Sequence, residues 1–492
     1  MVSTVSWHAA LPSFFAGLHR NADFFENGGI FISITKTPNH VCDYMAPLTF
    51  HIIDSPMGSG KSSALIRSIR ENRDYRADTN KRFIVFVSSI KERDERFLQK
   101  LDAKQPPTEP YCKSILGLIA RGENIVTTQS LYNIFNDETI EAFHKSDFTY
   151  TAYFDELPPL FQGASGGKYQ QKDAGVITRF GSKDVQLMQQ EHLILQENGE
   201  IHYNPECDYH QHTAEHNVFD AIREMDSRCN LLPYGNRNGF FTGIVAFTRR
   251  ELFSCFKECW FCSYLTGDSM LANYCVKNHI DRVYYHIEEG RIVRNPDGAY
   301  METYPEGLER LVILDDSRFN MERSLSKEGY RKLARSKDSE ERKHLLTGLR
   351  YAYEFMKEHG VRSNSFIFTT FKDYKELLAS DGRHFPTMKR FLPCNAKATN
   401  EYSNCTGVAY LCNRYYDVNC TNYLAQLAEE EQNPKLRFNN DTFALSELLQ
   451  FIWRSNVRVK GSDQPVYVYI PDRRMRELLY AFMKKANANE VK

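Results

Sequence analysis

Residues 55–62 read Ser-Pro-Met-Gly-Ser-Gly-Lys-Ser. A short apolar run (Phe50, Ile52, Ile53) precedes them, and a helical pattern with Leu65, Ile66 and Ile69 on one side follows. Strand, glycine-rich turn and helix, in that order, are what a phosphate-binding loop requires. Glycines let the backbone curl so that several N–H groups face one phosphate chain, and the helix N-terminus adds partial positive charge. Pro56, Met57, Gly58, Ser59, Gly60, Lys61, Ser62 and Ser63 are therefore the expected nucleotide contacts, with ATP as ligand. Lys61 is placed on the β- and γ-phosphates and the Ser62 hydroxyl on Mg²⁺. Ser55 stands where the first glycine of G-x-x-x-x-G-K-[ST] is usual.

A second pair, Asp155-Glu156, follows the β-rich run Thr149–Phe154. Behind a phosphate loop, this is the arrangement in which the aspartate serves Mg²⁺ and the glutamate orients or deprotonates an attacking water. Two further strands end in polar groups: Phe83–Val87 before Ser88 and Ser89, and Ile125–Val126 before Thr127, Thr128 and Gln129. Strands alternating with helices predict a mostly parallel sheet, whose ligands sit at the carboxyl ends of its strands.

These stations together resemble superfamily 2 helicases, the DExD/H-box class. SPMGSGKS is similar to motif I, where the first glycine is also commonly absent. FIVFVSS resembles motif Ia, IVTTQSL motif Ib, FDEL motif II and FIFTTF motif IV. LTGDS stands in the place of motif III but departs from Ser-Ala-Thr, and residues 398–402 stand in the place of motif V. QFIWRSNVR resembles motif VI, Q-x-x-G-R-x-G-R, with Trp453 in place of a glycine and the second arginine one position late. Within the class, the loop and the chain length look most like viral and phage replication helicases of the herpesvirus origin-binding type.

The resemblance implies an α/β fold of two RecA-like lobes with mostly parallel sheets and an insertion in the first lobe. It implies ATP bound between the lobes, with Arg454 and Arg458 supplying the finger and Gln450 sensing the nucleotide. Ser88, Ser89, Thr127, Thr128, Gln129, Thr370, Thr399 and Asn400 are the implied contacts to a nucleic-acid backbone. The implied partner is single-stranded or forked DNA, with RNA as the alternative, and replication proteins beside it. Two other readings are an ATP-driven remodelling or defence motor that separates no strands, and a decayed nucleic-acid-binding protein. The intact Lys61, Asp155 and Glu156 speak against decay.

By length, 492 residues suit about three domains. The expected order is a leader at 1–46, a first lobe at 47–285 interrupted at about 162–245, a linker at 286–310 and a second lobe at 311–492. A net charge of −1 leaves any nucleic-acid contact to local patches. One such patch is the helical stretch 321–350, with nine Lys/Arg against five Asp/Glu. No apolar run approaches the ~20 residues of a membrane span. The N-terminus lacks the pattern of a signal peptide. The expected location is the cytoplasm, that of the host for a phage protein, with the nucleus as the alternative. Twelve scattered cysteines read as free thiols. Cys255, Cys259 and Cys262 have a spacing that would suit an iron–sulfur cluster, against the plainer reading of buried apolar cysteines. Cys207, His210, His212 and His216 form a similar weak metal pattern.

Overall fold

The computed structural model describes residues 47–490 except 76–78, 108–110, 133–134, 164–192, 197–199, 207–224, 227–228, 235–242, 317, 319, 337, 380–383 and 395–400. The leader, Thr399, Asn400 and the Cys207–His216 pattern lie outside the described residues. The chain forms two units.

The larger unit, 47–158 with 251–416 and 439–492, carries two sheets. Strands β1 (Thr49–Asp54), β2 (Lys81–Val87), β3 (Ile125–Thr128) and β4 (Thr149–Phe154) belong to the first. Its order is β12-β11-β1-β10-β4-β2-β3, with β10 (Glu258–Ser263), β11 (Asp281–Glu288) and β12 (Arg291–Arg294) arriving from beyond the insertion. All pairs are parallel except β11–β12. Phe83 to Val87 are all buried, as a strand covered on both faces requires. Helix α1 (Lys61–Glu71) lays Leu65, Ile66 and Ile69 on Ile53, Val85, Val126 and Cys262.

The second sheet is parallel throughout, in the order β13 (Leu311–Leu314), β16 (Val466–Tyr469), β15 (Gly407–Tyr410), β14 (Phe366–Thr369). Two mostly parallel sheets in one α/β chain match the expected fold class. Tyr264 and Leu265, just past β10, are buried in the core of the second sheet beside Leu448, Ile452 and Trp453, and Met57 packs at its margin. The two sheets thus share a core next to the phosphate loop.

The smaller unit takes Pro159–Arg250 and Asp417–Phe438. Strands β5 (Phe161–Gly163), β8 (Cys229–Tyr234) and β9 (Gly243–Thr248) form an antiparallel sheet in the order β5-β9-β8. Strands β6 (Leu193–Leu195) and β7 (Ile201–Tyr203) form a separate pair. Helix 418–430 packs on the three-stranded sheet, and the Tyr234 hydroxyl donates to Asn419 Oδ1 at 2.6 Å. The expected insertion therefore meets a helix from the second half of the chain, which no local pattern announces.

The first residues of the expected linker at 286–310 are paired in strands. Residues up to Arg294 complete β11 and β12, the edge pair of the first sheet. Their charge suits such a place, because an edge strand is half solvated and needs no apolar run.

Candidate active site

The phosphate loop is built on two left-handed residues. Gly58 has φ +82° and Gly60 φ +86°, where an L side chain would be strained. Gly60 is also the N-cap of α1, so the turn leads straight into the helix start. Lys61 Nζ donates to the carbonyls of Ser55 at 2.5 Å and Pro56 at 2.9 Å. Burial pulls the Lys61 ammonium below its ordinary pKa, opposed by the neighbouring Cys262, Asp54, Asp155 and Glu156 side chains. The Ser59 hydroxyl is buried with no hydrogen-bond partner among the described residues.

β4 delivers Asp155 to the same place. Burial raises the Asp155 carboxyl above the usual range, opposed first by a hydrogen bond from the Ser62 hydroxyl. Asp155 Oδ1 is buried and has no hydrogen-bond partner among the described residues. A serine hydroxyl against an orphaned carboxylate oxygen fits Mg²⁺, which takes one or two protein oxygens and fills its remaining sites with water and phosphate. Ser62 and Asp155 are thus where a metal fits. Glu156 is half-buried, and its backbone carbonyl accepts from Gln129 Nε2 at 2.6 Å.

The second sheet contributes through helix 440–452 and the turn after it. Trp453, which stands where the resembled motif has a glycine, is core, packed among Tyr410, Leu449 and Ile470. Arg454 follows, buried, with Nη1 on the Pro393 carbonyl at 3.5 Å. Burial lowers its pKa, opposed by the charges of Glu156 and Glu447. Arg458 lies over the loop itself: a Cβ built on Gly58 would come within 3.9 Å of both the Cβ and the carbonyl oxygen of Arg458. Burial also lowers the Arg458 pKa, and Arg96 adds to the effect. Lys61, Ser62, Asp155, Glu156, Arg454 and Arg458 thus surround one site, although they come from opposite ends of the chain.

Other expected residues are placed elsewhere. Gln450 is exposed and donates to Ser446 Oγ at 3.1 Å, one turn back, so nothing ties it to the loop. Thr127, Gln129 and Thr370 are 2%, 5% and 1% exposed. The elements after each strand bury its end, and Gln129 holds the Glu156 carbonyl. Ser88, Ser89 and Thr128 keep partial exposure. Ser89 caps its own short helix by accepting from Glu92 N at 3.2 Å. The LTGDS loop is tied to the residue before the phosphate loop. Asp54 accepts from the backbone of Leu265 at 3.2 Å and of Thr266 at 2.7 Å, and from the Thr266 hydroxyl. No group of three His, Cys, Asp or Glu suited to a metal occurs among the described residues, which disfavours a cluster at Cys255, Cys259 and Cys262.

The reading from residues missed Glu92 and Arg96. Both lie in a charged helix that reads as a solvated face, yet Glu92 is next to Asp155. Burial, then the charge of Asp155, pushes the Glu92 carboxyl up to about 7. Its spacing of three from the strand-ending Ser89 was the available signal.

The comparisons with known proteins come from both sequence and fold. A family described as the YonV C-terminal Rossmann-like domain matches residues 306–483. An SPbeta prophage-derived uncharacterized protein, YonV, from Bacillus subtilis (strain 168) is 26% identical over 450 residues, covering 88% of this chain and 98% of that protein. Similar solved structures include S. tokodaii Xpd4 (TM-score 0.40, 10% identity, 88% of this chain and 94% of that one). Another is an XPD helicase (TM-score 0.42, 12% identity, 90% and 95%). Among the described residues, no helix is long and apolar enough to cross a membrane.

Proposed function

We propose that this chain is an ATP-dependent nucleic-acid helicase or translocase acting on DNA. The observation that carries the reading is the convergence of Lys61, Ser62, Asp155 and Glu156 from the first sheet with Arg454 and Arg458 from the second. In this reading the loop N–H groups and Lys61 bind the phosphates of ATP. Ser62 and Asp155 hold Mg²⁺, which supplies positive charge against the terminal phosphates. Glu156 orients the attacking water and takes its proton. Arg454 and Arg458 stabilise the charge that develops on the transferred phosphoryl group.

Because those arginines belong to the second sheet, hydrolysis and release change what holds the two sheets together. That gives the site its route to motion. Ser88, Ser89 and Thr128 provide hydroxyls for a strand's phosphates, contacts that carry no base sequence. A phage-type setting, in the host cytoplasm and beside replication proteins, draws its support from the prophage origin of the similar Bacillus subtilis protein.

The test is the ATPase rate alone and with single-stranded DNA, duplex DNA and RNA, followed by strand displacement on a forked duplex. The expected result is stimulation by single-stranded DNA and displacement that requires ATP. Hydrolysis that no nucleic acid alters would overturn the reading. Stimulated hydrolysis without displacement would replace unwinding with remodelling.

A further inference from the structure

The chain after β2 makes a short helix, Ile90–Glu92, and then a wider π-turn, Arg93–Phe97, closed by Leu98 N on the Arg93 carbonyl at 2.9 Å. Single π-turns recur at functional sites. Phe97 anchors this one, being fully buried. Beside that anchor, the Arg96 side chain is 34% exposed and makes two long bonds: Nη1 to Glu92 Oε1 at 3.4 Å and Nη2 to Ser63 Oγ at 3.2 Å. Ser63 follows the serine that bonds Asp155. Arg96 also lies within electrostatic reach of Asp155 and Arg458. Its surroundings are therefore the start of α1, the carboxylates of the metal site and a like-charged arginine from the second sheet.

Two guanidinium groups brought together beside a phosphate loop repel one another, and an anion near both relieves that cost. Guanidinium is the side-chain group best matched to phosphate, through paired N–H donors. Glu92 holds Arg96 loosely, at a length typical of a weak contact. In the ATPase reading Asp155 serves the metal and Arg458 the transferred phosphoryl group, so two of the groups around Arg96 act at the terminal phosphate.

We infer that Arg96 is a third arginine of the site, carried by the first sheet, that contacts the terminal phosphate of the bound nucleoside triphosphate opposite Arg458. The inference rests on the ATPase reading above. It assigns Glu92 the task of holding Arg96 in place between turnovers. It also divides the charge on the transferred group between both sheets, so that the first sheet senses the triphosphate without waiting for the second.

The test uses full-length protein, R96Q and R96K, each checked by circular dichroism and melting temperature against the parent chain. ADP and a non-hydrolysable triphosphate analogue are titrated, ATP turnover is measured, and ADP with aluminium fluoride serves as the transition-state probe. R96Q is expected to lose at least about tenfold in turnover, as for removal of one oxyanion donor. It is expected to bind ADP within about twofold of the parent and to bind the triphosphate analogue and trap ADP–aluminium fluoride more weakly, because only the terminal phosphate loses a partner. R96K should recover part of the loss. Turnover and trapping equal to the parent would overturn the inference, as would equal weakening of ADP and analogue. A parent chain that neither binds nor hydrolyses ATP would instead overturn the ATPase reading, which separates the two failures.

Discussion

The two parallel sheets end in opposite chemistry. At the carboxyl ends of β1, β2 and β4 the first sheet gathers Lys61, Glu92, Asp155 and Glu156, a set suited to a metal and a phosphate chain. After helix 440–452 the second sheet offers Arg454 and Arg458, with Glu447 as a counter-charge to Arg454. Both sets are strained by burial in the same sense: the cations are pushed toward neutrality and the carboxyls toward protonation. Across the two sheets, the charge of Glu156 eases Arg454, whereas Arg96 adds to the cost at Arg458. The difference teaches that the site is composite. In the proposed function, one sheet binds and the other completes.

The sharpest way to break this comparison is to remove the binding half. Lys61→Ala should lower ATP turnover by about 100-fold or more and abolish binding of a fluorescent nucleotide, since the charge that cradles the phosphates is gone. Retained binding would move the nucleotide away from this loop. Removing the completing half should look different. Arg454→Ala and Arg458→Ala should each lower kcat by about 10²-fold while KM changes only several-fold, because a finger acts on charge that develops in the transition state. If only one of them does so, that residue is the finger.

A smaller effect should come from the support of the completing half. Arg414 pairs with Glu447 at 3.0 Å, both side chains mostly buried. Glu447→Gln leaves a buried guanidinium uncompensated, and a loss of about 2 kcal/mol in unfolding free energy is expected by denaturant titration. Turnover should fall less than for Arg454→Ala. An equal fall would make Glu447 part of the chemistry.

The smallest effect is expected outside both sheets. In the smaller unit, His202 Nδ1 lies 2.7 Å from Asp226 Oδ1, and Glu200 stands 3.7 Å from the other ring nitrogen. The bond to Asp226 and then that to Glu200 raise the His202 pKa to about 9. The folded value is above the ordinary 6.5, so the stabilisation is complete below pH 6.5 and lost as pH rises through about 9. Thermal melts between those limits should show a decline that His202→Gln flattens, with ATP turnover unchanged. A turnover change would link this unit to the site.

The phosphate loop was legible because every signal in it is local. The spacing of Leu65, Ile66 and Ile69 marks one helix face, and Gly58 and Gly60 stand where only glycine is relaxed. Asp155-Glu156 was legible because an apolar strand ends there. Arg96 was not, because charged residues on a short helix look alike whether they face solvent or a buried carboxylate. Gln450 shows the converse: a motif position suggests a role, but the side chain's direction depends on how helix 440–452 packs. Thr370 was expected at a surface that its neighbours bury.

The residues by themselves thus determined the strands, the loop and the helix start, since periods of two and 3.6 residues and the φ of glycine are properties of adjacent positions. Tertiary structure alone decided that Arg458 lies over Gly58, that Glu92 meets Asp155, and that helix 418–430 joins the insertion. Those contacts link segments far apart in the chain. They are set by which buried faces pack together, and no local pattern records that choice.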